Sequence, residues 1–223
     1  MKWSKSVSLL LSVIVTTGPF ADDKNFSLTT TDGLVANRVL AVAKTFDGRD
    51  GVHVREDPDA KGAGADRLVL LSGTDFTDGV IEVDMAGEPA KDAGRNARGF
   101  IGIAFRVSSD ASKFECIYLR PTNGRVDDPV RKSHAVQYES IPDFPWHKLC
   151  RATPDKYESD ADIGLGEWTK VKIEVKGTKA SLYINGAEEA SLVVNDLKLG
   201  EASGALWIGP GTDAYFSNLT IRD

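Results

Sequence analysis

A segment rich in hydrogen-bonding side chains lies between two strand-like stretches in the middle of the chain. A run that begins at Lys113 stops at Pro121, and an alternating pattern resumes near His134. The segment carries planar, fork-shaped donors and paired acceptors: Arg120, Asn123, Arg125, Asp127, Asp128 and Arg131. Such groups suit neighbouring hydroxyl groups or a carboxylate. The segment therefore predicts a ligand site, and a solvated loop tied by salt bridges is the alternative.

The same part of the chain contains groups that can transfer a proton. His134 titrates close to neutral pH and has carboxylates near it in sequence, so it is a candidate general acid or base. Glu115 and Asp127 are the further catalytic candidates. Two other roles stay open for His134, namely a structural hydrogen bond at the start of a strand and contact with a ligand without catalysis.

A long irregular segment, residues 142–165, follows and is rich in Pro, Trp, Tyr and Asp. Unstructured segments of this length within a compact domain are usually functional. Trp146 ends the sequence Pro-Asp-Phe-Pro-Trp, and Tyr138 stands just before the segment. Exposed aromatic rings offer a flat surface to the apolar face of a sugar ring. We expect Trp146 and Tyr138 to stack on a ligand, with anchoring of the loop as the alternative for Trp146.

Strand patterns must position these side chains, because apolar and polar residues alternate with a period of two along much of the chain. Turn residues separate the runs, and Asn185-Gly186 is the strongest short hairpin signal. No amphipathic helical stretch is longer than about three turns. The pattern predicts an all-β fold, an antiparallel β-sandwich or jelly roll. Its strands are 39–46, 67–71, 79–85, 99–107, 168–176, 179–184, 191–194, 205–208 and 214–221.

The ends and the composition limit the class of protein. Residues 1–21 have a basic start, a short apolar stretch and a candidate cleavage region, which is typical of a secretory signal peptide. We therefore expect a secreted or periplasmic protein without membrane insertion. The net charge of −6 argues against a nucleic-acid partner, since phosphate binding needs neutralising cations.

Four stretches resemble the concanavalin-A-like lectin/glucanase superfamily, and more narrowly its secreted 3-keto-disaccharide hydrolase-like or laminin-G-like domains. They are 79–84, 99–106, 166–175 with the hairpin 182–186, and 214–221. The resemblance implies a single concanavalin-A-like sandwich over residues 22–223, with a carbohydrate on a concave face or on loops at its rim. The ligand-binding residues expected there are Arg106, Arg120, Asn123, Arg125, Arg131, Gln137, Tyr138 and Trp146.

Strand parity supports only part of that set. The run 99–107 alternates so that Ile101, Ile103, Phe105 and Val107 share the core face, which leaves Arg106 pointing away from the core. Retaining glucanases of the superfamily carry closely spaced acids on one strand. Here Glu82, Asp84 and Glu88 depart from that spacing, so we interpret them as a solvated strand face.

Metal and cysteine chemistry is limited. The resemblance suggests a structural calcium ion, for which 209–213 offers carbonyl groups and one carboxylate, but calcium needs six to eight oxygen ligands. No other cofactor is expected, and the histidines and cysteines lack zinc-like spacing. Cys116 and Cys150 form a disulfide or remain two thiols, and both alternatives stay open.

Two functions follow as expectations. The first is a protein that binds a glycan through the stacking and hydrogen-bonding residues named above. The second is a glycoside hydrolase acting on ordinary or 3-keto glycosides, with a His or carboxylate in 115–139 as proton carrier. A structural or adhesive role is the third possibility, marked by an arginine-rich loop tied up in internal salt bridges.

Overall fold

The computed structural model describes residues 23–60, 67–199, 203–208 and 212–222, which form two antiparallel β-sheets. The all-β antiparallel sandwich predicted from the sequence is confirmed. The signal segment and residues 209–211 of the suggested calcium loop lie outside the described residues.

The strands are short and are connected mostly by turns. In chain order they are β1 (Lys24–Phe26), β2 (Leu34–Asn37), β3 (Val39–Phe46), β4 (Arg49–Glu56), β5 (Leu68–Leu71), β6 (Gly79–Pro89), β7 (Ile101–Val107), β8 (Phe114–Leu119), β9 (Val136–Ile141), β10 (Glu158–Ser159), β11 (Thr169–Lys176), β12 (Lys179–Ile184), β13 (Leu192–Val194), β14 (Ser203–Ile208) and β15 (Thr212–Arg222). The described residues also contain three short helices, α1 (Pro121–Gly124), α2 (Pro129–Lys132) and α3 (Trp146–Ala152).

The strands divide between two sheets. The first sheet has the order β13-β12-β11-β6-β15-β4-β3, and β1 pairs with the last residues of β15. The second has the order β10-β9-β8-β7-β14-β5-β2. The connection between β6 and β7, residues 90–100, therefore crosses from the first sheet to the second.

Alternating side chains account for the clearest strands. Buried and more exposed residues alternate along the whole of β11. After β12, Asn185 and Gly186 both have positive φ and lie in a tight turn closed by the N–H of Ala187 and the carbonyl of Ile184. The short hairpin that Asn185-Gly186 predicts is not formed, because β13 begins only at Leu192 and seven residues separate it from β12. The pattern did not indicate β4, because Asp50, Gly51 and Arg55 interrupt its apolar residues. The segment 142–165, expected to be irregular, contains α3 and β10. No helix within the described ranges is long and apolar enough to cross a membrane.

The main core lies between the sheets and takes residues from both. Val83 and Ile173 of the first sheet belong to the same buried cluster as Ile103 and Ile117 of the second. Burying an aliphatic side chain of this size contributes about 1.5–3 kcal/mol. A second buried cluster consists mostly of second-sheet side chains, which lie on the face turned away from the first sheet. We call this face the outer face; its cluster includes Ala104, Phe114, Cys116 and Tyr118.

A β-bulge in β7 changes the predicted orientation of two side chains. Ala104 pairs with Ala205 of β14, but the next pair is Val107 with Ser203, so Phe105 and Arg106 face the single residue Gly204. Arg106 has φ of 53°. Because the extra residue shifts the alternation, Val107 belongs to the outer cluster and the expectation of a core-facing Val107 is wrong. The expectation that Arg106 points away from the core is wrong as well, since its guanidinium is buried against carbonyls of the first sheet's turns.

Arg106 and Glu115 form a buried ion pair that links several segments at one end of the sandwich. Arg106 donates hydrogen bonds to the carbonyls of Thr77, Gly177 and Leu199 as well as to Glu115. Glu115, fully buried, accepts from the hydroxyl of Tyr138 and from two backbone N–H groups, those of Lys198 and Leu199. Both charges are therefore hydrogen-bonded, which a buried pair requires.

Replacement of Glu115 by Ala is expected to destabilise the fold by about 3–5 kcal/mol, because it removes the buried partner of Arg106. The carboxylate that remains beside Arg106, Asp78 at 3.3 Å, is half exposed and compensates only in part. Glu82→Ala is the matched control. Its partner Arg222 lies at 3.5 Å on the partly exposed face, and such pairs contribute about 0–1 kcal/mol. Urea unfolding of both variants measures the difference, and an equal, small loss in both would contradict a structural role for the Arg106–Glu115 pair.

Candidate functional site

A compact group of polar and aromatic side chains lies on the outer face, where β8, β9 and β10 run side by side. Tyr118 pairs with Gln137, and Gln137 pairs with Glu158, so these side chains form a row across the three strands. The remaining members come from the ends of the strands and from α3. We call the set the Trp146 cluster: Tyr118, Arg120, His134, Gln137, Glu139, Trp146 and Glu158.

Glu158 is the centre of the cluster. Its Oε2 accepts three hydrogen bonds, from Nδ1 of His134 at 2.7 Å, Nε2 of Gln137 at 2.9 Å and Nε1 of Trp146 at 3.0 Å. Burial raises the pKa of this carboxyl, but the donors Trp146, Gln137 and His134 outweigh burial and lower the pKa below its ordinary value. An ionised carboxylate only accepts, so Nδ1 is the protonated nitrogen of His134.

Glu139 has the opposite environment. It lies two residues along β9 from Gln137 and accepts one hydrogen bond, from the backbone N–H of Trp146 at 3.1 Å. Burial raises its pKa, against smaller opposing effects of that N–H and of Arg120. Trp146 therefore bonds to both carboxylates, through its backbone to Glu139 and through its indole to Glu158. The two acids have pKa values displaced in opposite directions.

Arg120 lies among three aromatic rings. Its guanidinium carbon is 4.4 Å from the ring centre of Trp146, 5.2 Å from that of Phe100 and 5.8 Å from that of Tyr118. Arginine stacks well on aromatic faces because its planar cation is weakly hydrated. Its Nε is buried without a hydrogen-bond partner. Arg120, Trp146 and His134 all remain partly exposed, so this part of the cluster is open to solvent.

Short helices position His134. The side chain of Asp128 accepts hydrogen bonds from the backbone of Val130 and Arg131 and so begins α2, a regular N-cap. Asn123 of α1 donates to the carbonyl of His134 and accepts from Arg131. The ring of His134 meets the edge of Trp146 at 5.8 Å and 78°.

Of the residues predicted for the site, Arg120, His134, Gln137 and Trp146 lie together in the cluster. Asn123 and Arg131 support it from α1 and α2. The others lie elsewhere: Arg106, Glu115 and Tyr138 are buried between the sheets, Asp127 is exposed between α1 and α2, and Arg125 is exposed. Arg125 forms ion pairs with Asp162 and Glu167. For this residue, the structure therefore agrees with the alternative of a loop tied by salt bridges.

Sequence reasoning missed Glu158 and Phe100. Glu158 belongs to a strand of only two residues inside the irregular segment, where no periodic pattern marks it. Phe100 precedes β7 and has the parity of the outer face. The sequence does contain a sign of Phe100. It is a large aromatic residue on the same strand face as the small residues Gly102 and Ala104.

Neither cysteine is part of a disulfide, and Cys150 lies beside Glu158 of the cluster. Cys116 and Cys150 are free thiols, so the disulfide alternative is not formed. Burial and the nearby Glu158 carboxylate raise the pKa of the Cys150 thiol. Within the ranges that the structure covers, no group of three His, Cys, Asp or Glu side chains could hold a metal ion.

Comparison with solved structures gives the fold. The carbohydrate-binding module CBM66 from Bacillus subtilis matches with a TM-score of 0.60 and 18% identity over 92% of this chain and 100% of that one. Lectin II from Ulex europaeus matches with a TM-score of 0.53 and 8% identity over 92% and 99% of the two chains. A lichenase, a β-1,3-1,4-glucanase derived from a mouse hindgut metagenome, matches with a TM-score of 0.51 and 12% identity. The match covers 90% of this chain and 98% of the lichenase.

No family model matches the chain. A search of curated proteins gives no match either. Identities this low establish the fold alone. The fold that these structures share with this chain is a two-sheet antiparallel β-sandwich, the fold that the resemblance of the four stretches implied.

Glu158→Gln and Glu139→Gln are expected to change the acid dependence of stability in opposite directions. The lowered pKa of Glu158 stabilises the fold above the ordinary value of 4.5, and this contribution is lost as the pH falls through the folded-state pKa. The pKa of Glu139 is raised, which means that the folded state favours the protonated carboxyl over the ionised one. Its ionisation therefore costs stability as the pH rises from 4.5 through the higher folded-state pKa.

Urea unfolding of both variants between pH 3 and pH 8 measures these differences. Relative to the native chain, Glu158→Gln should lose stability above the ordinary pKa and recover in acid, while Glu139→Gln should gain stability as the pH rises. Parallel curves for the native chain and both variants would contradict the assignment of opposite pKa displacements.

Proposed function

We propose that the protein binds carbohydrate at the Trp146 cluster. The observation that carries the proposal is a partly exposed Trp146 ring, stacked against Arg120 and bordered by the amide, imidazole and carboxylate groups of Gln137, His134 and Glu158. Sugars present apolar ring faces and many hydroxyl groups, so their sites combine flat aromatic surface with paired donors and acceptors. The matched structures named above include a carbohydrate-binding module and a lectin.

Preorganisation supports this proposal. Trp146 donates hydrogen bonds through both its backbone and its indole, which restrains the ring before any ligand arrives. Stacking restrains Arg120 in the same way, although its Nε makes no hydrogen bond. Side chains that are already ordered lose little entropy on binding, so more of the contact energy appears as affinity.

The proposal also covers the location of the protein and the chemical class of its partner. The signal-like residues 1–21 support export, which makes the protein secreted or periplasmic. The net charge of −6 favours a carbohydrate over a nucleic acid as partner. Arg106, Glu115 and Tyr138 are not part of the proposed surface, because each is hydrogen-bonded within the buried network of the opposite end.

Trp146→Ala is expected to weaken glycan binding at least about tenfold, since aromatic anchors at the centre of a site commonly contribute more than 1.4 kcal/mol. A glycan array identifies the sugar bound by the native chain, and calorimetric titration with that sugar measures each variant. Trp146→Phe keeps a ring but loses the indole N–H, so its loss should be smaller.

Trp168→Ala is the matched control, because Trp168 is also partly buried and donates its indole N–H, but lies immediately before β11 of the first sheet. Its affinity should equal that of the native chain. Binding by Trp146→Ala with native affinity, or an equal loss in both alanine variants, would reject the Trp146 cluster as the site.

A second function, glycoside hydrolysis, is favoured by one specific observation. Glu139 and Glu158 share the outer face, both bond to Trp146, and their pKa values are displaced upward and downward respectively. Glycosidases use such a pair, in which the protonated acid supplies a proton to the leaving oxygen and the ionised one acts as base or nucleophile. His134 then orients Glu158 rather than carrying the proton itself.

Glu139→Gln tests this second function. If the pair is catalytic, release of reducing sugar from an array hit falls by about a hundredfold or more, while affinity changes little, because general acid catalysis contributes about 10²–10⁴. Glu189→Gln, in the exposed turn before β13, is the matched control and should keep full activity. Binding without any release by the native chain would exclude hydrolysis and leave the binding function.

A further inference from the structure

We propose that the carbohydrate site continues beyond the Trp146 cluster along a groove that runs from Phe100 to Thr212, so that the ligand is a neutral oligosaccharide rather than a single terminal sugar. The inference rests on the proposed binding function and adds the size and charge class of the ligand. The groove follows the connection between β6 and β7, which leads from the first sheet to the outer face of the second.

The groove consists of two cavities that meet. One, of about 660 Å³, is lined by the connection between β6 and β7 and ends at Phe100, whose ring also contacts Arg120. The other, of about 340 Å³, extends to Thr212 and Asp213 at the start of β15. Glu56 and Asp92 line both cavities, so the two are continuous. Both volumes lie in the range of small-molecule sites.

The connection that forms one wall is held at several points. Thr122 of α1 donates to the carbonyl of Arg98, and Arg98 itself donates to the carbonyls of Arg95 and Ala97. At its base Gly87 and Gly99 approach so closely that a Cβ on Gly87 would lie 2.6 Å from the Gly99 carbonyl oxygen. A wall fixed in this way gives a groove of defined shape.

The charges along the groove balance. Its ionisable side chains are three cations and three carboxylates: Arg55, Lys91, Arg95, Glu56, Asp92 and Asp213. Asp213 is oriented because its Oδ1 accepts a hydrogen bond from Nε2 of His53 at 3.0 Å. Interspersed donors and acceptors with no excess of either sign suit hydroxyl groups, which can both donate and accept. A charged ligand would meet as much repulsion as attraction.

Thr212 provides the sharpest single observation. The residue is 1% exposed, it lines the second cavity, and its Oγ1 has no hydrogen-bond partner. A buried hydroxyl without a partner costs free energy, and a ligand hydroxyl in the cavity would supply the missing bond.

Thr212→Val tests the extension, because it removes the hydroxyl and keeps the shape of the side chain. The unpartnered hydroxyl contributes no bond in the free protein, so the urea midpoint should not fall. The probe is an array of neutral homo-oligosaccharides, from monosaccharides to hexasaccharides, followed by titration with the series that binds. Native affinity should rise at least about tenfold along that series. Thr212→Val should weaken the longest sugar about three- to tenfold.

Thr178→Val, in the exposed turn between β11 and β12, is the matched control and should behave as the native chain. Native affinity that does not rise with length, or a longest-sugar affinity unchanged in Thr212→Val, would overturn the extension. Trp146-dependent binding would stand in that case. Absence of binding to every sugar by the native chain would overturn the binding function itself, and the extension with it.

Discussion

The buried pair of Arg106 and Glu115 ties together parts of the chain that are far apart in sequence. Its hydrogen bonds reach the segment before β6, the turn between β11 and β12, and residues 198 and 199. Loss of Arg106 would leave a fully buried carboxylate, and loss of Glu115 would leave Arg106 with only the half-exposed Asp78. Both changes are costly, because a buried charge without a buried partner is far less stable than a paired one. The pair also fixes the first residues of β8 against β7, and β8 in turn sets the register of β9.

That register is what brings the Trp146 cluster together. Tyr118, Gln137 and Glu158 come from three different strands, and a slip of one residue in any pairing would move a side chain to the other face of the sheet. Both acids of the cluster are buried, but they accept different numbers of hydrogen bonds. Glu158 receives three hydrogen bonds and stays ionised, whereas Glu139 receives one and has a raised pKa. A surface that holds charge and aromatic area in fixed geometry suits recognition of a rigid, hydroxylated ligand.

Local patterns in the sequence predicted the sandwich well and the site in part. β12 appears with the predicted bounds, and so does β3, although its residues alternate only loosely. The prediction failed after Phe105, because a bulge is set by pairing with β14 and leaves no mark in β7 itself. Residue type pointed to Arg120, His134, Gln137 and Trp146. It could not separate them from Arg125, whose partners Asp162 and Glu167 are distant in sequence, and it gave no sign of Glu158.

The unequal accessibility of the two thiols has a practical consequence. Cys116 is fully buried, whereas Cys150 is partly exposed on α3, one helical turn after Trp146 and therefore near the same side of the helix. The native chain thus offers a single position for a thiol-reactive fluorophore, adjacent to the proposed sugar surface and obtained without mutagenesis. Since the thiolate is the reactive form and the pKa of Cys150 is raised, such coupling proceeds faster in mildly alkaline buffer.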